Sequence, residues 1–382
     1  MTSEPVITER AERWAASMTA HRRGAGSHDI RFAHADAAPP VGPIATAGRE
    51  DRERWEATSL AAGATKADGA GRRARAEEPD SRRTCFERDR DRILHSPAFR
   101  RLAGKTQVFI FPDDHQRTRL THALEVAQVA TAMARCCRLN VALTAAIALG
   151  HDCGHGPGGH ASEDALSPFV AGGYDHAVWG ADVVLGPLNL CAETLDGIRN
   201  HSWSRPAPST PEGEVVSWAD RIAYVCHDFE DAVSAGIVTR DMLPAEVQAL
   251  CGTTRGRQLG AFIDAVIDTV ITTGQVGMPG EMAQALAEFR ATNYDHVYMR
   301  PASIAQAATV IRILRGLADY FADRPNLIPG AVEGQGLVAG SESAVRAAVT
   351  YVAGMTDRFA CRTAVARLGW DPADLPRSVG GL

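Results

Sequence analysis

The chain has 382 residues, of which 45% are hydrophobic and 23% charged, and a formal net charge of −6. This length can bury a large core, and the acidic balance excludes a global basic field that would recruit nucleic acid. No apolar stretch reaches membrane-spanning length, the N-terminus lacks a signal-peptide apolar region and the eight cysteines show no CxxC spacing, so reduced thiols, a cytoplasmic location and no membrane partner are expected.

Between Ala33 and Arg83, Ala, Gly, Arg and acidic residues dominate and large apolar groups are few, which predicts a largely flexible segment over residues 1–81. Arg72-Arg73-Ala74-Arg75 reads as a solvated linker whose arginines are free to meet phosphate or nucleic acid. A short helix is expected around Glu9 to Met18, with Trp14 as its anchor.

The segment Arg119 to Arg135 (RLTHALEVAQVATAMAR) sets His122, Val126, Val129 and Met133 at i, i+4, i+7 and i+11, one stripe of a helix, so His122 points with the core-facing residues. The apolar run VALTAAIALG then reads as a buried helix delivering His151 and Asp152 into a cavity. The string HDCGHGPGGHASED follows, in which the glycines and Pro157 break the helix and permit close backbone approach to a ligand. A new helix near His160 puts Glu163 and Asp164 at i+3 and i+4, within reach of the imidazole. A histidine held by a carboxylate is a tuned general acid or base.

Further on, VVSWADRIAYVCHDFEDAV from Val215 to Val233 places Asp220, Tyr224, His227 or Asp228, and Asp231 on a polar face at buried helical spacing. Carboxylates there need partners. A metal would satisfy Asp220 and leave Arg221, Tyr224 and Asp228 for a charged substrate, whereas Asp231 fits a solvated face better. Ile304, Ala308, Ile311, Leu314 or Leu317 and Phe321 predict a core-packing helix ending at Pro325, preceded by Tyr294, Tyr298 and Arg300 in a segment that serves equally as a helix elbow or a base or phosphate contact. Asn326 to Gly340 reads as a loop.

His151-Asp152 lies 29 residues after His122 and 68 residues before Asp220. Neutral imidazoles offer nitrogen lone pairs and carboxylates anionic oxygens, and two of each leave coordination positions open for water and a phosphate oxygen, a metal site of catalytic character. Such ligands accept Mn, Fe, Zn, Co or Ni, and Mg with more retained water.

These residues resemble the H…HD…D signature of the HD-domain phosphohydrolases. DRDRILHSPAFRRLAGKTQVF (Asp89 to Phe109), TRLTHALEVAQVA and WADRIAYVCHDFEDAVSAGI narrow the resemblance to the dGTPase-like deoxynucleoside triphosphate triphosphohydrolases. The resemblance implies an all-α HD-domain helical bundle with a helical C-terminal extension: a catalytic core over 82–240 and a helical part over 241–382 packed on it. It implies one divalent metal on His122, His151, Asp152 and Asp220, and catalytic roles for His160 and Glu163 with His155 beside them. Arg119 would contact phosphate, Arg221, Tyr224 and Asp228 would line the triphosphate and sugar site, and Gln107 and His176 would complete the pocket. It further implies a dNTP substrate, an allosteric nucleotide or single-stranded nucleic acid as a further partner, and a tetramer or hexamer.

Two departures stand out. The family's Pro-Phe-Gly-His or Pro-Phe-Ser-His is Pro157-Gly158-Gly159-His160 here, which predicts a more mobile loop. Its Phe-Glu-His-Asn-x-Gln is Tyr174-Asp175-His176-Ala177-Val178-Trp179, which bears on substrate choice. Alternative readings are an HD phosphohydrolase of nucleoside monophosphates or cyclic nucleotides, and a nucleotide- or nucleic-acid-binding HD protein with an idle centre.

Overall fold

The computed structural model describes residues 8–18, 20–22, 30–36, 39–45, 48–330 and 337–378. The chain falls into two units, residues 1–46 and 47–382. The first contains the helix Thr8–Ser17 and an antiparallel bridge between His21 and Phe32. Trp14, expected as an anchor, is exposed on that helix.

The second unit is all-α: helices and short 3-10 or π turns make up its described regular structure, with isolated bridges in place of strands. No helix among the described residues is long and apolar enough to cross a membrane. Local chemistry fixes the helix starts that matter for the site. The Thr118 hydroxyl caps Arg119–Cys136, Asn140 caps Val141–Gly150 through the Ala142 and Leu143 N–H groups, and Thr210 with Pro211 in the first turn opens Pro211–Ser234. His122, Val126, Val129 and Met133 are all buried, as their spacing predicts.

Two apolar cores result. One gathers the helices Cys85–His95, Arg119–Cys136, Val141–Gly150 and Pro211–Ser234 around Ile93, Met133, Ile147 and Ile222. The other gathers Pro301–Asp323, Glu342–Ala353 and Asp357–Leu368, but it also takes in Leu166 and Trp179 from the segment after the HD loop. The HD loop therefore runs from a helix of the first core to a helix of the second. In Pro301–Asp323 the buried stripe is Val310, Ile313, Leu314, Leu317 and Phe321; Ile304 and Ala308, expected in the core, are exposed because the helix's first turns extend beyond it. Part of the loop expected over 326–340 lies outside the described residues.

The flexible reading of residues 1–81 is corrected for 48–81. Arg49–Ser59 is helical, and the segment after it is fixed by buried polar partners rather than apolar mass. Glu56 accepts from the Ala67 N–H at 2.7 Å and Asn140 Nδ2 at 3.1 Å, and Glu212 accepts from the Thr65 N–H and hydroxyl at 3.0 and 2.7 Å. Arg73, read as part of a solvated linker, pairs with Asp89 at 2.6 Å, with side chains 1% and 0% exposed. A composition test for apolar content does not register such anchors.

Candidate active site

The first core brings four predicted ligands together. His122 arrives on its helix stripe, His151 and Asp152 at the end of Val141–Gly150, and Asp220 halfway along Pro211–Ser234. His122 Nε2 lies 3.0 Å from Asp220 Oδ1 and 3.9 Å from Asp152 Oδ2; His151 Nε2 lies 3.5 Å from Asp152 Oδ1 and 3.7 Å from Asp220 Oδ1. Donors about 2.0–2.2 Å from one cation and roughly at right angles or tetrahedral to each other stand about 3.0–3.5 Å apart, and wider pairs open toward trans. The donor set fits a divalent ion. His151 adds an independent sign: its Nδ1 is 2.6 Å from the Ala148 carbonyl and so carries the proton, leaving a fully buried Nε2 with no hydrogen-bond partner.

Electrostatics agree with a cation-ready cluster. Burial alone would raise the Asp152 pKa, yet the Arg119 guanidinium and neighbouring imidazoles hold it well below the usual carboxylate range. Asp220 is likewise lowered against burial by the hydrogen bond to His122, and that same bond raises His122 against its own burial. Arg119, expected to meet phosphate, donates from Nη1 to Asp152 Oδ2 at 2.6 Å, while its Nε has no partner.

Beside this cluster is a second one. Glu163, one turn into the helix Ala161–Leu166, accepts from His160 Nδ1 at 2.7 Å, from His176 Nδ1 at 2.8 Å and from the His176 N–H at 3.1 Å. Burial would raise its pKa, but these bonds keep it far below normal and therefore anionic. His160 has a side chain 75% exposed, its imidazole free to reach a ligand while Glu163 fixes one ring nitrogen. His155 stacks on His176 with centroids 3.7 Å apart and sets Nε2 3.2 Å from Asp152 Oδ1; burial and the Arg119 charge keep it neutral.

The altered HD loop is held in place. Gly158 has φ +72° and Gly159 φ +63°, values that favour glycine. A Cβ at 158 would sit 2.6 Å from Val310 Cγ1, so the space of the missing aromatic is taken by the second core. The Gly158 N–H donates to Asp357 Oδ1 at 2.9 Å, and the Thr106 hydroxyl donates to Asp357 Oδ2 at 2.6 Å. Lys105 donates from Nζ to the carbonyls of His155 and Ala353, the latter at 3.0 Å, and burial lowers its pKa to about 8. The expectation of a looser loop overlooked these contacts, which come from sequence-distant helices. Tyr174, in the second altered stretch, donates its hydroxyl to the Gly154 carbonyl at 2.6 Å.

Of the remaining predicted residues, Arg221, Tyr224 and Asp228 lie along Pro211–Ser234 and Gln107 lies before Arg119–Cys136. The Arg221 guanidinium lies 3.6 Å from the Trp203 ring centroid, its Nε without a partner. Tyr224 accepts from Arg290 Nε at 2.8 Å. Asp228 accepts from the Tyr298 hydroxyl at 2.5 Å, and burial raises its pKa to about 7. Gln107 is half-buried with Oε1 unpartnered. Asp231, read as solvated, is instead buried and paired with Arg117, which also binds Glu125 and Glu230. Sequence reasoning missed His201, Trp203, Arg290, Lys105 and Asp357 and kept Tyr298 out of the site. Tyr298 reaches Asp228 from the π-helical turn Tyr294–Tyr298, a register no 3.6-residue pattern reveals. Tyr294 is exposed, and Arg300 lies 6.0 Å from the Phe109 ring centroid.

Comparison with known proteins places this geometry in a family. The HD domain family matches residues 119–225 and the phosphohydrolase-associated domain matches 276–365. The deoxyguanosinetriphosphate triphosphohydrolase-like protein of Caldanaerobacter subterraneus subsp. tengcongensis is 41% identical over 319 residues, covering 82% of this chain and 93% of the relative. Proteins of the same description from Clostridium perfringens and Roseobacter denitrificans are 39% and 33% identical over 332 and 357 residues, with 81% and 76% of this chain and 94% and 92% of the relatives covered. With an all-α fold, an HD ligand set fit for a divalent metal and these relatives, the chain belongs to the deoxyguanosinetriphosphate triphosphohydrolase-like group of HD-domain phosphohydrolases.

Proposed function

We propose that the chain hydrolyses deoxynucleoside triphosphates to deoxynucleoside and tripolyphosphate. The observation that supports this most is the adjacency of two separate devices: the His122, His151, Asp152 and Asp220 donor set, and a His160 imidazole oriented by an anionic Glu163. A divalent ion held by the first set supplies Lewis-acid charge and a more acidic water.

The chain's own residues do the rest. His160, with Nδ1–H donated to Glu163, protonates through Nε2 the departing 5′-oxygen, so the α-phosphorus to 5′-oxygen bond breaks and the water oxygen stays on the phosphate. Arg119 turns from Asp152 toward a phosphate oxygen, and Arg221 holds the outer phosphates as a planar fork. Asp228 with Tyr298, and Tyr224 with Arg290, orient the sugar. Gln107 and His176 close the pocket, and His155 supports Asp152. The reaction is balanced by one water: dNTP and water give deoxynucleoside and tripolyphosphate.

The test uses the purified chain with Mn2+ and each of the four dNTPs. Tripolyphosphate and deoxynucleoside are expected, with turnover abolished in His122→Ala and Asp220→Asn; release of pyrophosphate, or activity confined to nucleoside monophosphates or cyclic nucleotides, would replace this reading with another HD phosphohydrolase.

A further inference from the structure

Two buried cysteines have no role in the account above. Cys85 opens the helix Cys85–His95 and is 1% exposed; Cys191 is the N-cap of the helix Ala192–Asn200 and is fully buried. Their sulphurs meet beneath Gly71, where an added Cβ would lie 2.4 Å from Cys191 Sγ and 3.1 Å from Cys85 Sγ. Gly71 also has φ +76°, so only glycine serves there on both counts. The two thiols hydrogen-bond to each other.

The surroundings leave the pair to thiol chemistry. Arg73 forms an antiparallel bridge with Cys191, the Ala192 N–H donates to the Arg72 carbonyl at 2.8 Å, and Arg73 Nη2 donates to the Cys85 carbonyl at 2.9 Å. Asp89, the neighbouring carboxylate, is already taken by Arg73 Nη1 at 2.6 Å and by the Cys191 N–H and the Thr194 hydroxyl, each at 2.8 Å. Among the described residues no cluster of three metal-ligating side chains includes either cysteine.

The two sulphurs are not equivalent. The hydrogen bond from Cys191, helped by the Asp68 backbone and the Arg73 charge, holds the Cys85 thiol below its ordinary value against burial, while the same bond and burial push Cys191 far up. A thiol favoured as thiolate in the first turn of a helix, with a second thiol in contact, is the arrangement of peroxide-reactive pairs. The cover over them is irregular chain, with Asp68 exposed and Gly69, Ala70 and Gly71 half-buried. Local opening of such a segment costs less than global unfolding and admits a small oxidant.

We propose that Cys85 and Cys191 are a peroxide-responsive pair, Cys85 the attacking sulphur and Cys191 the resolving one, that closes into a disulfide joining the helices Cys85–His95 and Ala192–Asn200. Cys85 sulphur takes one oxygen of hydrogen peroxide, the O–O bond breaks, and the departing hydroxide leaves as water with the Cys85 proton. Cys191 sulphur then attacks the Cys85 sulfenic sulphur, the S–O bond breaks, and a second water leaves with the Cys191 proton. Two thiols and one peroxide give one disulfide and two waters. The link fixes the start of the helix beyond whose end His201 packs on His151, with ring centroids 4.9 Å apart.

The experiment treats the folded full chain with stoichiometric hydrogen peroxide, alkylates the remaining thiols and maps the digest by mass spectrometry. A peptide pair linked through Cys85 and Cys191, reversed by dithiothreitol, is expected, with a melting temperature raised by at least ~4 °C, as closure of a long loop implies. Cys191→Ser should show a dimedone-trapped sulfenic acid on Cys85, and Cys85→Ser should lose the thermal shift. Oxidation confined to the exposed Cys136, or a Cys85–Cys191 link formed only after denaturation, overturns the pair. A link in the wild type without trapped sulfenic acid on Cys85 in folded Cys191→Ser overturns the assignment of the attacking sulphur. The wild-type map decides the pairing even if a variant misfolds.

Discussion

Asp357, in the first turn of the helix Asp357–Leu368, accepts the N–H of Gly158, two residues before His160 and 199 positions earlier in the chain. Its other carboxylate oxygen takes the Thr106 hydroxyl, next to Gln107. The phosphohydrolase-associated part of the chain thereby holds the HD loop by its backbone. Asp357→Ala would leave a half-buried N–H and a buried hydroxyl without their acceptor, the hydroxyl alone costing about 1–3 kcal/mol. The expected result is a lower melting temperature and a kcat reduced at least ~10-fold by misplacement of His160, with bound metal unchanged. Full kcat in a destabilised Asp357→Ala protein would show that the clamp serves folding alone.

Glu163→Gln keeps the shape but removes the anion that both His160 and His176 donate to. Loss of a positioned general acid costs about 10²- to 10⁴-fold in rate. We expect kcat to fall within that range while metal content stays at the wild-type value, and a near-wild-type kcat would remove His160 and Glu163 from the chemistry.

Trp203 carries the Arg221 guanidinium on its ring and is itself fixed by donating Nε1–H to the Ser217 carbonyl at 3.2 Å and by edge contact with Trp218. A cation–π contact is worth about 0.5–2 kcal/mol, so Trp203→Ala should raise KM for a triphosphate by about 2- to 30-fold. Trp203→Phe should restore most of this. If the two variants have equal KM, Arg221 does not depend on the ring.

Asp228 gives a pH signature. Burial raises its carboxyl from its ordinary 3.8 to about 7 in the folded chain. Between those values the folded state holds a proton that the unfolded state has released, so this group's contribution is most favourable at low pH and is lost as pH rises toward about 7. Asp228→Asn should therefore leave stability little changed near pH 4 and raise it by up to about 3–4 kcal/mol near pH 8, at the expense of substrate binding. Urea unfolding of both proteins across this range checks the sign; a pH-independent difference contradicts it.

The parts of the site that are legible in the sequence share one property: each is written in local spacing. His122 sits on an apolar helix stripe, Glu163 follows His160 by one turn, and Asp220, Tyr224 and Asp228 recur every four residues. His201 and Trp203 follow the end of a short helix, and Asp357 and Lys105 act across the chain, so no periodicity announces them. The all-α fold is legible for the same reason, because amphipathic periods repeat over many turns. Residues 48–81 are not, since Glu56 is held by a backbone N–H and an amide, and Thr65 and Arg73 by carboxylates, rather than by apolar burial.

The central claim is the bond that breaks, and oxygen tracing tests it most directly. Hydrolysis of a dNTP by the Mn2+-supplemented chain in 18O-water should place one heavy oxygen in the tripolyphosphate and none in the deoxynucleoside, as attack at the α-phosphorus requires. Heavy oxygen in the deoxynucleoside, or labelled monophosphate released with pyrophosphate, would contradict the account.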